Sequence, residues 1–281
     1  MMTPEFPKIS VVTVCLNAPM LSRTCESIAG QDYENIEWLV IDGGSGPETQ
    51  QIFDSYKNQM AYFVSERDTG IYNAMNKGLV KSTGDYVIFM NGGDAFVEKT
   101  TVSDAARVIR DQESHGAPGS PREQSSRGVG CADVYYGDII LGNLARMNYP
   151  AAEHLSDMYF CCQGLPHQAQ FFRTSVLMPD NLYDENLSVC SDYRTTVKLY
   201  QSGAKFHKLD MVVALYDNHG RSSQSFNLTW TKERLAVLKE CFHKPKPLIF
   251  GAAMICLSSI MPQRLRDFAK IKGKSAFCAK R

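Results

Sequence analysis

Ile9-Ser10-Val11-Val12-Thr13-Val14-Cys15-Leu16-Asn17 is the stretch on which the fold reading turns. Ile9 to Val14 is a β-rich apolar run, which reads as a buried first strand. Asn17, Ala18 and Pro19 break it, and Leu21 to Ile28 reads as a short helix. The same alternation repeats outward. Glu37–Ile41 is a second buried strand ending at Asp42-Gly43-Gly44-Ser45-Gly46-Pro47, and helical pattern follows over Glu48–Asn58. Met60–Val64 reads as a third strand, Glu66-Arg67-Asp68-Thr69-Gly70 as a turn, Ile71–Val80 as a helix, and Tyr86–Met90 as a fourth strand stopping at Asn91-Gly92-Gly93-Asp94. Strand–helix alternation over some 95 residues predicts an α/β fold, a parallel sheet with helices on both faces. Ligands of such sheets sit at the carboxyl ends of the strands. Asn17, Asp42, Asp68 and Asp94 all follow strand ends, so four separate strands send polar side chains to one edge.

Farther along, residues 111–132 are rich in Gly, Ser and Pro and read as a mobile surface insertion. Strands are expected at Asp133–Leu141, Ala169–Arg173 and Lys205–Tyr216, and helices at Ser191–Gln201 and Leu228–Cys241.

Residues Ile9–Phe96 resemble the inverting family 2 glycosyltransferases, which adopt the GT-A fold, a mixed and mainly parallel Rossmann-like sheet flanked by helices. The resemblance rests on Ser10 to Asn17, on Ser27-Ile28-Ala29-Gly30-Gln31, on Trp38-Leu39-Val40-Ile41-Asp42-Gly43-Gly44-Ser45, and on Asp68-Thr69-Gly70-Ile71-Tyr72-Asn73-Ala74-Met75-Asn76-Lys77-Gly78. The last segment is similar to the branch that builds bacterial exopolysaccharides and O-antigens, and the likeness continues more weakly to about residue 225. It implies a GT-A domain over 1–227: a nucleotide-binding half at about 8–110, the insertion, and an acceptor half over 133–227. Residues 228–281 form a basic helical tail.

The resemblance also implies site residues. Asp42 would accept from the uracil or ribose of a UDP-linked donor, and Val14, Cys15 and Asn17 would line the base pocket. Asp68, Lys77, Asn91 and Gly92 join the nucleotide-binding set. Asn91-Gly92-Gly93-Asp94 stands where the family places its D-x-D metal motif, so Asp94 would hold Mg²⁺ or Mn²⁺. Asp192, in Cys190-Ser191-Asp192-Tyr193, would be the general base that deprotonates the acceptor hydroxyl, with Asp184 and Glu185 as rivals. His167, Asp138 and Arg221 are candidates on the acceptor side. Each has a plainer reading. For Asp42 and Asp68 it is a helix cap or turn acid, for Asp94 a cap after a Gly-Gly turn, for Asp192 a first-turn helix acid, for Asp138 a turn acid, and for Lys77 and Arg221 a solvated cation.

The 281 residues are 44% hydrophobic and 21% charged. A folded chain of this length hides roughly 70–75% of its unfolded surface, so a sizeable core is expected. The composition excludes collagen, a disulfide miniprotein and wholesale disorder, and zero net charge argues against a nucleic-acid partner. That zero conceals a split: Lys232–Arg281 carries 12 Lys/Arg against 3 Asp/Glu. Nine cysteines without C-x-x-C spacing suggest a reduced, cytoplasmic chain without zinc. Met1 to Lys8 has no apolar core of a secretory signal. The apolar stretch Leu248–Met261 is too short to span a bilayer. With the basic cluster behind it, it is expected to lie peripherally on the inner face of an anionic membrane. The alternative packs it on the core or on a second copy, as a homodimer.

The function expected is inverting transfer of a sugar from a nucleotide-sugar donor to a glycan or polyprenyl-linked acceptor in cell-surface polysaccharide synthesis. Two alternatives stand beside it. A sugar-nucleotide nucleotidyltransferase needs a Gly-rich phosphate loop after the first strand, where this chain has Cys15-Leu16-Asn17-Ala18-Pro19. A catalytically silent sugar-nucleotide binder would fit the reduced metal motif.

Overall fold

Five of the six residues Ile9–Val14 are β-branched, and the strand they open, β1 (Ile9–Cys15), is buried along its whole length. The computed structural model describes residues 6–115, 131–142, 145–180, 182–217 and 228–260. β2 (Ile36–Asp42) and β4 (Tyr86–Phe89) flank β1 in parallel, and β3 (Tyr62–Ser65) adds to β2 in parallel. The side-chain period of two sorts these strands between two cores. Ile9, Val11, Trp38, Val40, Tyr86 and Ile88 face one, together with α1 (Leu21–Ala29), Phe53 of α2 (Pro47–Tyr56), and α4 (Thr101–His115). Val12, Val14, Leu39, Ile41, Val87 and Phe89 face the other, which is covered by Tyr72, Met75 and Leu79 of α3 (Ile71–Lys81).

The second half closes the sheet differently. β5 (Ala95–Phe96), β6 (Val134–Leu141), β7 (Ala145–Met147), β8 (Gln170–Arg173) and β9 (Phe206–Tyr216) extend it in the order β3-β2-β1-β4-β8-β6-β9-β5, with β7 on β6. β8 runs antiparallel to both β4 and β6, and β5 antiparallel to β9, whereas β6 and β9 are parallel. Between these strands lie α5 (Asp157–Cys162), α6 (Thr174–Leu177) and α7 (Ser191–Gln201), and after them α8 (Leu228–Cys241) and α9 (Pro245–Ile260).

The expected insertion at 111–132 is narrower at both ends. α4 runs on to His115 because Glu113 is drawn back to the sheet, accepting from Arg173 Nη1 at 3.2 Å and Tyr86 Oη at 3.0 Å. Ala132 is already buried beside β6. Residues 116–130 lie outside the described residues. The charged helix expected at Leu228–Cys241 is present as α8, but one of its charges points inward. Arg234 is buried, its guanidinium 3.2 Å from the centre of the Tyr193 ring and 2.7 Å from the Gln163 carbonyl, to which it donates.

Candidate active site

Asp192 is the second residue of α7, where the unpaired amides of a helix N-terminus favour negative charge. Its Oδ2 accepts from Nδ1–H of His167 at 3.0 Å and its Oδ1 from the Tyr72 hydroxyl at 3.0 Å. The two side chains remain 23% and 15% exposed, so the pair opens to solvent. Burial alone would raise the Asp192 carboxyl. The hydrogen bond and charge of His167, the Tyr193 amide and the Tyr72 hydroxyl outweigh burial and hold it below the usual range. Burial alone would likewise lower His167, and the bond and charge of Asp192, with Asp94 behind it, raise it instead. The rivals are engaged elsewhere. Glu185 accepts from Asn73 and Asn76, both at 2.9 Å, and Asp184 pairs with Arg194 at 3.7 Å.

The other ring nitrogen of His167 lies 3.0 Å from Nδ2 of Asn91, at the head of the Asn91-Gly92-Gly93-Asp94 turn. The turn is pinned to α1 by Thr24, whose hydroxyl donates to the Asp94 carbonyl and accepts from the Gly93 amide. Asp94 is 5% exposed, and its Oδ1 accepts from the Asp217 amide at 2.9 Å. Burial, reinforced by the charge of Asp217, pushes its carboxyl up to about 7, against the pull of His167, the Asp217 amide and Arg23. The Asp217 carboxylate is close: a Cβ on Gly93, whose φ is +108°, would stand 2.7 Å from its Oδ2. Asn91 Oδ1 is buried without a partner. Asp94, Asp217 and Asn91 Oδ1 thus offer hard oxygens, two of them anionic, and this donor set suits Mg²⁺ or Mn²⁺. Among the described residues no cluster of three His, Cys, Asp or Glu side chains forms a closed metal cage. Such a site would leave positions for phosphate oxygens.

Sequence reading expected neither Asp217 nor Arg23. Asp217 reaches Asp94 across 123 positions because β5 pairs antiparallel with the end of β9, Ala95 opposite Leu215. Arg23 donates to the Gly93 carbonyl from a helix face that looked merely polar.

At the other end of the edge, two expectations change. Asp42 is fully buried, and its oxygens take the Ser45 amide and hydroxyl, Gln50 Nε2 and the Ser65 hydroxyl, all within 2.9 Å. It shapes the loop after β2 and shows no face to a nucleotide. Asp68 is the acid left at this edge. Its Oδ1 accepts from the Gly70 amide at 3.0 Å, while its Oδ2 occupies the space over Gly43, 2.5 Å from where a Cβ would stand. Gly43→Ala is therefore expected to displace Asp68 at unchanged fold, read by circular dichroism, and, if Asp68 holds a nucleotide, to weaken UDP binding about tenfold by calorimetry. Asn17, at φ +50°, ties the β1 and β2 ends together through Ser45 and Gly46. Val14 and Cys15 are buried beneath this floor, and burial raises the Cys15 thiol to about 11. Gly92 packs over Cys15 and Ala18. Lys77 is paired with Glu66 at 2.6 Å.

Asp138 is a further correction. It is 3% exposed and saturated by Arg146, Lys208 and the Tyr149 amide, so it stabilises the β6–β9 region rather than meeting an acceptor. Arg221 lies outside the described residues.

α8 reaches the loop before Asp192. The Glu233 carboxylate accepts from the successive amides of Ser188, Val189 and Cys190 at 2.7, 2.9 and 3.0 Å, immediately before α7. Glu233→Ala frees that loop. It is expected to lower the turnover rate about tenfold with the donor KM nearly unchanged, because a small misplacement of a reacting group is enough for such a loss. Glu233→Gln, which keeps one acceptor oxygen, restores part of it.

A mixed sheet of this order, with acids from β2, β3, β4 and β9 gathered at one edge, is the GT-A fold. The description Glycosyl transferase family 2 matches residues 10–134. An uncharacterized glycosyltransferase of Mycobacterium tuberculosis (strain H37Rv) is 31% identical over 188 residues, 66% of this chain and 66% of that protein. The PGL/p-HBAD biosynthesis glycosyltransferase of Mycobacterium bovis (strain BCG) is 26% identical over 224 residues, 78% and 80% of the two chains. The chain belongs to glycosyl transferase family 2. In fold it is similar to S. aureus TarS 1-349 in complex with UDP-GlcNAc, with a TM-score of 0.65 at 17% identity over 96% of this chain and 80% of that one. It is also similar to the mannosyltransferase PcManGT of Pyrobaculum calidifontis in complex with GDP-Man and Mn²⁺, with a TM-score of 0.60 at 14% identity, over 96% and 74%.

Proposed function

We propose that this protein is a metal-dependent, inverting glycosyltransferase moving a sugar from a UDP-linked donor to a hydroxyl of a glycan or lipid-linked acceptor in cell-surface polysaccharide synthesis. One observation carries the reading: a part-exposed ionised carboxylate, Asp192, is joined through His167 and Asn91 to the turn that carries Asp94, a buried acid standing beside Asp217. The fold relatives with UDP-GlcNAc and GDP-Man support a nucleoside diphosphate sugar as donor. The relative named a PGL/p-HBAD biosynthesis glycosyltransferase supports a biosynthetic sugar transfer.

In this reading Asp68 and the β1–β2 floor hold the nucleotide, and Arg23 lies beside the diphosphate. A divalent cation bound at Asp94 and Asp217 would neutralise the departing diphosphate. Asp192 takes the proton of the attacking hydroxyl, and His167 and Tyr72 keep its oxygen aimed. A carboxylate of depressed proton affinity suffices, because the hydroxyl becomes strongly acidic only as its bond to the anomeric carbon forms. Attack from the face opposite the leaving group inverts that carbon. The test is a panel of nucleotide sugars with Mn²⁺, followed by thermal unfolding and by NMR of the product anomer. A UDP sugar is expected to raise the midpoint, and an α-linked donor to give a β-linked product. Retention at the anomeric carbon refutes the mechanism, and release of pyrophosphate instead of UDP refutes the class.

A further inference from the structure

α9 is a helix of sixteen residues, and from Leu248 to Ile260 it contains no charged side chain. Its inner stripe packs on α5 and α8, with Gly251 and Ile255 buried. Its outer stripe does not pack: Ile249 is 69%, Phe250 47% and Met254 43% exposed. The expected alternative, burial of this segment on the core, therefore accounts for only one side of the helix. Exposed cations precede the bare stripe in the chain, Lys246 in the first turn of α9 and Lys244 just before it, the latter paired with Asp157 at 2.9 Å, and α8, which packs on α9, carries exposed Lys232 and Lys239. The remaining 21 residues, 261–281, add seven Lys/Arg against one Asp.

We propose that the outer face of α9 docks this protein in the plane of an anionic lipid bilayer, which presents a lipid-anchored acceptor to Asp192. An apolar stripe bordered by cations matches the boundary between acyl chains and acidic headgroups. It does not match a second copy of itself, because a two-fold interface through this stripe would bring like charges together. Sixteen residues reach about 24 Å, short of the roughly 30 Å hydrocarbon core, so the helix lies on the membrane and does not cross it. Among the described residues no helix is long and apolar enough to cross. The docking face is braced on the acceptor side of the site. α8, which packs on α9, holds the loop before Asp192 through Glu233 and the α5 end through Arg234, five residues before His167 in the chain at Cys162. The acceptor class rests on the transferase reading, whereas the docking itself does not.

The test uses the full chain with sedimented vesicles of mixed phosphatidylglycerol and phosphatidylcholine, beside vesicles of phosphatidylcholine alone. Binding is expected to the mixed vesicles only and to weaken with salt. Phe250→Glu with Met254→Glu is expected to reduce it by about tenfold or more, while transfer to a water-soluble acceptor stays unchanged. Absence of sedimentation, equal binding by the double variant, or a solution dimer that the double variant dissociates each overturns the proposal. A chain that sediments yet turns over no donor removes the transferase reading and leaves the docking in place.

Discussion

Asp94→Asn is expected to raise the unfolding midpoint of the metal-free protein by about 5–10 °C at about pH 8. The physical cause is a carboxylate held where its charge is disfavoured: burial, with Asp217 beside it, moves its proton affinity from 3.8 to about 7. That displacement corresponds to roughly 2–4 kcal/mol against the charged form above pH 7. The sign follows from proton binding. The folded state holds this proton more tightly than the unfolded chain, so the group's penalty is absent near pH 4, grows as pH rises, and is complete above 7. The advantage of the variant should therefore be largest above pH 7 and fade toward pH 4. Asn keeps an oxygen for the Asp217 amide, so the turn is preserved. On the metal-dependent reading proposed above, Mn²⁺ with UDP should stabilise the native chain by about 2.7 kcal/mol at a hundredfold excess over Kd, and the same substitution should remove that gain. Calorimetric scans of both proteins from pH 4 to 8, with and without Mn²⁺ and UDP, check both effects. A variant less stable than the native protein at every pH would show that Asp94 is a structural acid.

Much of this edge was legible in the chain. β1, β2 and β4 are apolar on both faces, and such runs have little choice but to be buried strands. The helix that opens at Ser191 is expected from the chain, and the role given to Asp192 comes from the family resemblance. Other parts depend on long-range partners. The four donors that turn Asp42 inward come from its own loop, α2 and β3, and only folding brings them to one carboxylate. Asp217 joins Asp94 only through the β5–β9 register, and Glu233 reaches α7 from a segment beyond the family resemblance. Asp138 is an acceptor-side candidate or a turn acid by sequence, but the cations that saturate it, Arg146 and Lys208, come from β7 and β9. α4 is a different case. Val102, Ala105, Ala106 and Ile109 already carry a helical spacing, which the reading passed over between the Asn91–Asp94 turn and the polar segment.

Asp192→Asn should lower the transfer rate by about 10²–10⁴ and leave the affinity for a UDP-sugar donor unchanged. Asn fills the same volume, and its oxygen still accepts from either Tyr72 or His167, so the geometry around α7 survives. What disappears is the part-exposed carboxylate whose side-chain partners, His167 and Tyr72, include no Lys or Arg. Its charge also holds His167 up, so the imidazole of the variant should titrate at lower pH, a change that NMR of the His167 ring detects without any turnover. For the native pair the linkage runs in two directions. Asp192, held low, contributes stability above the ordinary carboxylate range that is lost as pH falls through its folded value. His167, held high, contributes stability below about 6.5 that is lost as pH rises through its own folded value. Glu185→Gln is the control. Its carboxylate serves Asn73 and Asn76 and closes α3 onto the 183–185 segment, so it should change stability more than rate. If Glu185→Gln abolishes transfer while Asp192→Asn keeps it, the base is Glu185, and the His167 bridge serves only to hold α7 against the Asn91 turn.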